Sequence, residues 1–323
     1  MTVAKQILLI LGILIISLVD AGSSLAQSEF IVFSKQYDKP KGKPVTYIDT
    51  FKAYYGAYQL WVQSGQDGLN EVKNVSVSIN GVEVLDSRDL RKSNPSIKPI
   101  NLQSNNTIKV VLKGQGGNFI KVRIATLPLN ITVLSPSAGE TISSMKVIVT
   151  GTIENFVGEL GVTVNGIVAD VYGNQFVVSN VPLVEGVNTI TVTVKDALRT
   201  ATSSITVNAV IPSSYIELSS NIESGIAPLT AYFSASISNL TPSSYQMDFE
   251  GDGIVDWTGA SFEDISHTYI LEGIFYPTVV VIDSQGNSYW DVIAITVLSK
   301  AEMDALLKGK WEGMRSELAE GDV

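Results

Sequence analysis

The chain has no cysteine and one histidine among its 323 residues. Without cysteine there is no disulfide scaffold, no thiolate-ligated zinc or iron–sulfur cluster, no thiol nucleophile and no lipidated cysteine anchor. With His267 alone, a His-rich metal site is excluded, and a Ser-His-Asp triad must use that residue or none. No Gly-x-Ser-x-Gly or other nucleophile signature accompanies it, so no catalytic residue is assigned. Cationic charge is also scarce. Lys and Arg number 22 against 32 Asp and Glu, a net of −10, which argues against a nucleic-acid partner. The shortage is local: residues 210–298 carry eleven acidic side chains and no Lys or Arg, whereas residues 27–126 carry fourteen basic and eight acidic ones. Steps of that size mark separate modules joined in one chain.

Long hydrophobic runs are lacking too, with one exception. Lys5 precedes thirteen almost wholly apolar residues, Ile7 to Val19. As a helix they reach roughly 20 Å, short of the ~30 Å hydrocarbon core. Ser24 and Ala26 then place small residues where a signal peptidase reads, so residues 1–26 are expected to be a secretory signal peptide cleaved before Gln27. An uncleaved N-terminal anchor is the alternative. The mature chain would hold no transmembrane segment and would be secreted, extracellular or attached to the cell surface, or else periplasmic. Exported without cysteine, its domains must be stable through their cores alone.

What is present is period-two alternation. Val75, Val77 and Ile79 follow it, as do Ile108, Val110 and Leu112, and Ile120, Val122 and Ile124. Val162 with Val164, Ile190 with Val192 and Val194, and Ile293 with Ile295 and Val297 continue it. Each run puts one face in a core and one toward solvent, as in antiparallel sheets. Asn80-Gly81 and Asn165-Gly166 supply the two positive φ values of type I′ hairpin turns. The pattern predicts an all-β chain of three tandem immunoglobulin-like or jelly-roll-like β-sandwiches over 27–126, 127–209 and 210–298. Each Asn-Gly turn is followed by an Asn-Thr-Ile strand start, at Asn106 and at Asn188, an echo expected of two similar sandwiches. The links at Thr126-Leu127-Pro128 and Val210-Ile211-Pro212 are short and contain proline, which predicts a semi-rigid string of beads. Past Lys300 the period changes. Met303, Leu306, Leu307, Trp311, Met314 and Leu318 form the stripe of an amphipathic helix over 299–323. Such a helix needs a partner surface or a further domain to cover it.

Two regions carry a family resemblance. Gly225-Ile226-Ala227-Pro228-Leu229-Thr230, Tyr245-Gln246-Met247-Asp248-Phe249 and His267-Thr268-Tyr269, with Gly273 and Phe275, resemble a PKD domain, an immunoglobulin-like sandwich of bacterial surface proteins. Met247 stands where that family usually has Trp. Pro277 also departs from the family pattern, and a proline there implies a strand that is bulged or at an edge. Leu134-Ser135-Pro136, Val149-Thr150-Gly151 and Val181-Pro182-Leu183-Val184-Glu185-Gly186 resemble the bacterial Ig-like modules of glucodextranase-type and adhesin proteins. Leu306-Leu307-Lys308 and Trp311 are similar to segments that follow PKD-like modules in longer proteins, which implies that the chain is a fragment.

Three sets of residues offer chemistry. Asp248, Glu250, Asp252 and Asp256 stand at positions one, three, five and nine of an acidic turn with Gly253 at position six, as in a calcium loop. Position twelve is Gly259, so the bidentate Glu of such loops is missing. Calcium is the candidate ion; the alternative is a polar turn braced by Asp248. Trp61 alternates with Tyr58, Leu60 and Val62 and so shares the outer strand face with Gln59 and Gln63. A flat ring there could stack on a sugar, with Tyr54 and Tyr55 nearby in sequence; a core position on the second face or a domain contact is the alternative. Lys35, Lys39, Lys41 and Lys43 form a basic run that could meet anionic polysaccharide or another module's acidic face, or stay solvated. The expected function is non-catalytic: adhesion, display, or polysaccharide or surface-protein binding. The rival is the accessory part of an exported hydrolase.

Overall fold

A computed structural model describes residues 29–301 and, beyond them, 303, 304, 307, 308, 311 and 315. The signal segment and most of the expected C-terminal helix lie outside the described residues. Among the described residues no helix is long and apolar enough to cross a membrane. The chain is almost wholly β, and its strands enclose three separate cores.

The first sandwich contains β1 (Ile31–Lys39), β2 (Val45–Lys52), β3 (Gly56–Ser64), β4 (Asn74–Ile79), β5 (Val82–Asp86), the short helix α1 (Ser87–Lys92), β6 (Ser96–Leu102), β7 (Asn105–Lys113) and β8 (Asn118–Thr126). Its sheets run β1-β8-β3-β6 and β2-β7-β4-β5. The antiparallel pairs β1·β8, β2·β7, β3·β6 and β4·β5 are nested, as in one long hairpin rolled on itself. That is a jelly roll. Alternation decides the faces: Tyr58, Leu60 and Val62 point inward, joined by the β4, β7 and β8 apolar sets.

The second sandwich contains β9 (Asn130–Ser135), β10 (Thr141–Ile142), β11 (Lys146–Glu154), β12 (Gly161–Val164), β13 (Ile167–Val168), β14 (Asp170–Tyr172), β15 (Gln175–Pro182), β16 (Gly186–Lys195) and β17 (Thr200–Ala209). The sheets are β14-β15-β11-β9 and β10-β17-β16-β12-β13. The first strand is split between the sheets, and its second half, β10, runs parallel to β17. This is the immunoglobulin-like arrangement.

The third sandwich repeats it with β18 (Tyr215–Ser220), β19 (Ser224–Ile226), β20 (Leu229–Ser238), β21 (Pro242–Asp248), β22 (Trp257–Gly259), β23 (Ile265–Tyr269), β24 (Gly273–Phe275), β25 (Thr278–Asp283), β26 (Ser288–Val292) and β27 (Ile295–Leu298). Sheet β18-β20-β23 faces β22-β21-β25-β26, with β19-β27-β24 extending the second layer and β19 parallel to β27. Pro277 falls in the break between β24 and β25, where its missing amide removes no ladder bond.

The internal echo is local. Asn80 and Asn165 both adopt positive φ, at 49° and 47°. Their side chains accept from the amides of Thr107 and Thr191, each at 2.8 Å. The shared unit is therefore a hairpin plus one neighbouring strand. The sandwiches around it differ, one a jelly roll and one immunoglobulin-like, so the expectation of two similar sandwiches is corrected. Asn-Gly turn chemistry recurs wherever a tight hairpin is needed, whatever the topology.

Nor do the links stand free as between beads. At the first junction, Val157 of the second sandwich is fully buried in the core of the first, with Leu198 packed beside it. At the second, Lys146 pairs with Asp291 at 2.9 Å.

Candidate functional site

The outer face of sheet β1-β8-β3-β6 carries Gln59, Trp61 and Gln63, because the inward positions between them are taken by core residues. Register places Trp61 between Ile97 of β6 and Arg123 of β8. The Arg123 guanidinium lies 5.6 Å from the Trp61 ring centroid and pairs with Glu29 at 3.0 Å. Glu29 also accepts from Gln59 Nε2 at 2.7 Å. Lys121 stands opposite Gln63. The result is a sheet face with one half-buried indole, an exposed isoleucine, two amides, two cations and the Glu29 carboxylate. Such a surface can stack against an apolar ring face while hydrogen-bonding its rim.

Tyr54 and Tyr55 do not join it. They precede β3 at the end next to the second sandwich, where the Tyr55 carbonyl accepts from the Gly158 amide at 2.9 Å. The Tyr54 ring packs beside Gly158. A strand rise of ~3.3 Å per residue sets them roughly 20 Å from Trp61. The basic run is not one patch either. Lys39 is 1% exposed, its ammonium donating to the carbonyls of Pro40, Gly42 and Lys43. Lys35 pairs with Asp49 at 2.5 Å.

The acidic turn lies after β21. Oxygen atoms of Asp248, Glu250 and Asp256 come within 4.8 Å of one another, while Asp252 stands outside that group. Both Asp248 oxygens already serve the turn: Oδ1 accepts from Gly251 N at 2.7 Å and Oδ2 from Gly253 N at 2.8 Å. Asp256 Oδ2 accepts from Phe249 N at 2.8 Å, and Asp252 Oδ1 from Ile254 N at 2.8 Å. Gly251 and Gly253 take positive φ here, and a side chain at Gly251 would strike the Tyr276 backbone. Glu250 meets His267 Nε2 at 2.9 Å. Burial raises the Glu250 pKa, His267 opposes the rise, and Asp256 adds to it. The His267 ring is stacked on Phe249 at 4.7 Å and edge-on to Tyr269. Among the described residues the polar partner of His267 is the Glu250 carboxylate.

The sequence reading passed over Trp290. On β26 it alternates with Tyr289 and Asp291, and the parity argument that turned Trp61 outward applies to it equally. It is 68% exposed, at the edge of a cleft between the second and third sandwiches.

No protein-family description matches the chain, and no curated protein does. Among solved structures it is similar to the fibronectin(III)-like modules of CbhA from Clostridium thermocellum, at 16% identity over 53% of this chain and 95% of that one, with a TM-score of 0.22. A chimeric titin Z1Z2 tandem is similar at 14% identity over 54% of this chain and 100% of that one, TM-score 0.20. Dimeric latent PorU from Porphyromonas gingivalis shares 9% identity over 85% of this chain and 34% of that one, TM-score 0.28, so the chain spans about a third of PorU. The sandwich assignments rest on the sheet orders above.

Proposed function

We propose that the chain is an exported, non-catalytic modular protein that holds polysaccharide at the cell surface. The observation that carries this reading is the Trp61 face: a half-buried indole on the outer side of a jelly-roll sheet, with Gln59, Gln63, Arg123 and Lys121 around it. The signal-like segment of residues 1–26 supports export. The motif resemblance to PKD and glucodextranase-type modules supports a surface setting. The same resemblance leaves room for the rival role of accessory modules of an exported hydrolase, with which surface binding is compatible.

Co-sedimentation of residues 27–323 with insoluble polysaccharides tests the reading. Binding to at least one of them is expected, and Trp61→Ala should abolish it with the unfolding midpoint unchanged. Binding that survives the substitution overturns the reading. The same preparation should hydrolyse no glycan, peptide or ester; activity abolished by His267→Ala would refute the non-catalytic part.

Calcium remains the ion that Asp248, Glu250 and Asp256 would hold, the 4.8 Å grouping favouring it. A rise in the third sandwich's unfolding midpoint in millimolar calcium, beyond that in sodium chloride of equal ionic strength, is the expected sign. An equal rise in both salts means that the turn is structural.

A further inference from the structure

The cleft between the second and third sandwiches has a volume of about 570 Å³. That lies within the ~300–1,000 Å³ range of small-molecule sites. Its floor is set before any ligand arrives. Lys146 Nζ reaches across from β11 to Asp291 Oδ2 at 2.9 Å and to the Leu218 carbonyl at 3.4 Å. Asp291 Oδ2 accepts in turn from the Leu218 amide at 2.7 Å. Both side chains are largely buried, so this floor is a rigid and charge-balanced bridge.

The walls combine two kinds of surface. Flat apolar groups come from Trp290 and Tyr215, with Pro136 and Pro212 beside them, while the Tyr289 ring packs on the third core. Hydroxyl groups come from Ser143 and Ser288, while Ser144 Oγ already accepts from the Lys146 amide and Ser214 Oγ donates to the Asn239 carbonyl. Glu140 and Glu217 also line the cleft, and with the Lys146–Asp291 pair neutral they leave it net negative. Such a wall repels phosphates, uronates and nucleotides. What remains is a ligand that offers apolar ring faces to the aromatics and hydroxyls to the serines and carboxylates, without negative charge of its own.

We propose that this interdomain cleft binds a neutral saccharide, with Trp290 stacking on a sugar ring at the entrance. The proposal extends the polysaccharide reading to a second place on the chain, yet it shares no residue with the Trp61 face.

The test is isothermal titration calorimetry of residues 27–323 with the neutral hexasaccharides of the cello-, xylo-, manno- and chito-series, and with hexagalacturonate as the anionic counterpart. Saturable binding of at least one neutral hexasaccharide is expected. Trp290→Ala should weaken it about tenfold or more. Ser143→Tyr, which narrows the cleft from an exposed position, should weaken it as well, and Trp61→Ala should leave it unchanged. The proposal is overturned if no neutral hexasaccharide binds, if hexagalacturonate binds more tightly than every neutral one, or if both cleft variants bind as the parent does. Binding lost only in Trp61→Ala would keep the first site and remove this one. Binding lost in Trp290→Ala alone, with polysaccharide co-sedimentation intact, would keep both.

Discussion

The two junctions of this chain solve the same problem in opposite ways. Between the first and second sandwiches an apolar side chain crosses from one into the core of the other. Val157, in the loop after β11, enters the jelly-roll core, and Gly56 approaches it closely enough to form a backbone bridge. A side chain on Gly56 would collide with Val157. Beneath lies the Asp196–Arg199 pair at 2.7 Å, with Arg199 6% and Asp196 0% exposed. Arg199 donates to the carbonyls of Leu127 and Asn155, and Asp196 accepts from the Val157, Leu198 and Arg199 amides. The linker is thus clamped by a fully satisfied polar network. Between the second and third sandwiches the contact is polar, cleft-bearing and incompletely satisfied. Asp170 and Glu223 face each other with raised pKa values, burial being the main cause for both. The buried Thr296 hydroxyl has no partner. The difference suggests that the first two sandwiches behave as one unit and that the third is attached more loosely.

Arg199→Ala should break this contrast most severely. It leaves Asp196 buried without its charge partner, a loss of about 3–5 kcal/mol. Calorimetry should show the transitions of the first two sandwiches separating and falling. Val157→Ala comes next, at about 2 kcal/mol, since it removes two buried methyl groups from a packed core. The expected readout is a lower midpoint for the first sandwich, although the substitution lies in the second.

At the other junction the sign reverses. Thr296→Val replaces an unpaired buried hydroxyl by a methyl group of similar shape in a strand, and should stabilise the third sandwich by about 1 kcal/mol. A lower midpoint would mean that the hydroxyl has a partner. The smallest effect is that of pH. Asp170 and Glu223 hold their protons to higher pH folded than unfolded, so folding is penalised where both are ionised. Lys146 partly offsets this for Glu223. The penalty is complete above the raised values and disappears as pH falls to the ordinary carboxylate values of 3.8 and 4.5. Proteolytic cleavage of the linker at residues 210–214 should therefore slow as pH falls from neutral toward those ordinary carboxylate values, with cleavage of an unstructured peptide as the protease control; faster cleavage would contradict it.

The contrast also marks what a sequence can show. Inner faces were legible because alternation is local: Ile190, Val192 and Val194 could be assigned to a core without knowing which strand they would meet. So were the Asn-Gly hairpins, and the outward turn of Trp61. The jelly-roll order was not, since nested pairing joins residues about 90 positions apart, such as Ile31 with Ala125. Val157 was invisible for the same reason. Nothing in Asn155-Phe156-Val157-Gly158 says that its valine belongs to another domain's core. At the acidic turn the spacing of carboxylates and glycines left two readings open, a calcium loop and a polar turn braced by Asp248. That Asp248 spends both oxygens on backbone amides depends on the turn's path, which spacing alone does not determine.

One feature of the topology bears on how the chain carries load. In the second sandwich β10 lies parallel to β17, and further bonds join Gly139 to Thr206, Glu140 to Asn208 and Ile142 to Val210. In the third, β19 lies parallel to β27 in the same way. Tension along the chain would slide such terminal strands past each other, so their bonds must fail together. In the first sandwich β1 and β8 are antiparallel, and Ile31 sits opposite Ala125, where the chain enters and leaves at one end. There the same tension peels the ladder open bond by bond. Pulled from both ends, the chain would meet two sandwiches whose terminal strands resist in shear and one, the jelly roll, that opens early.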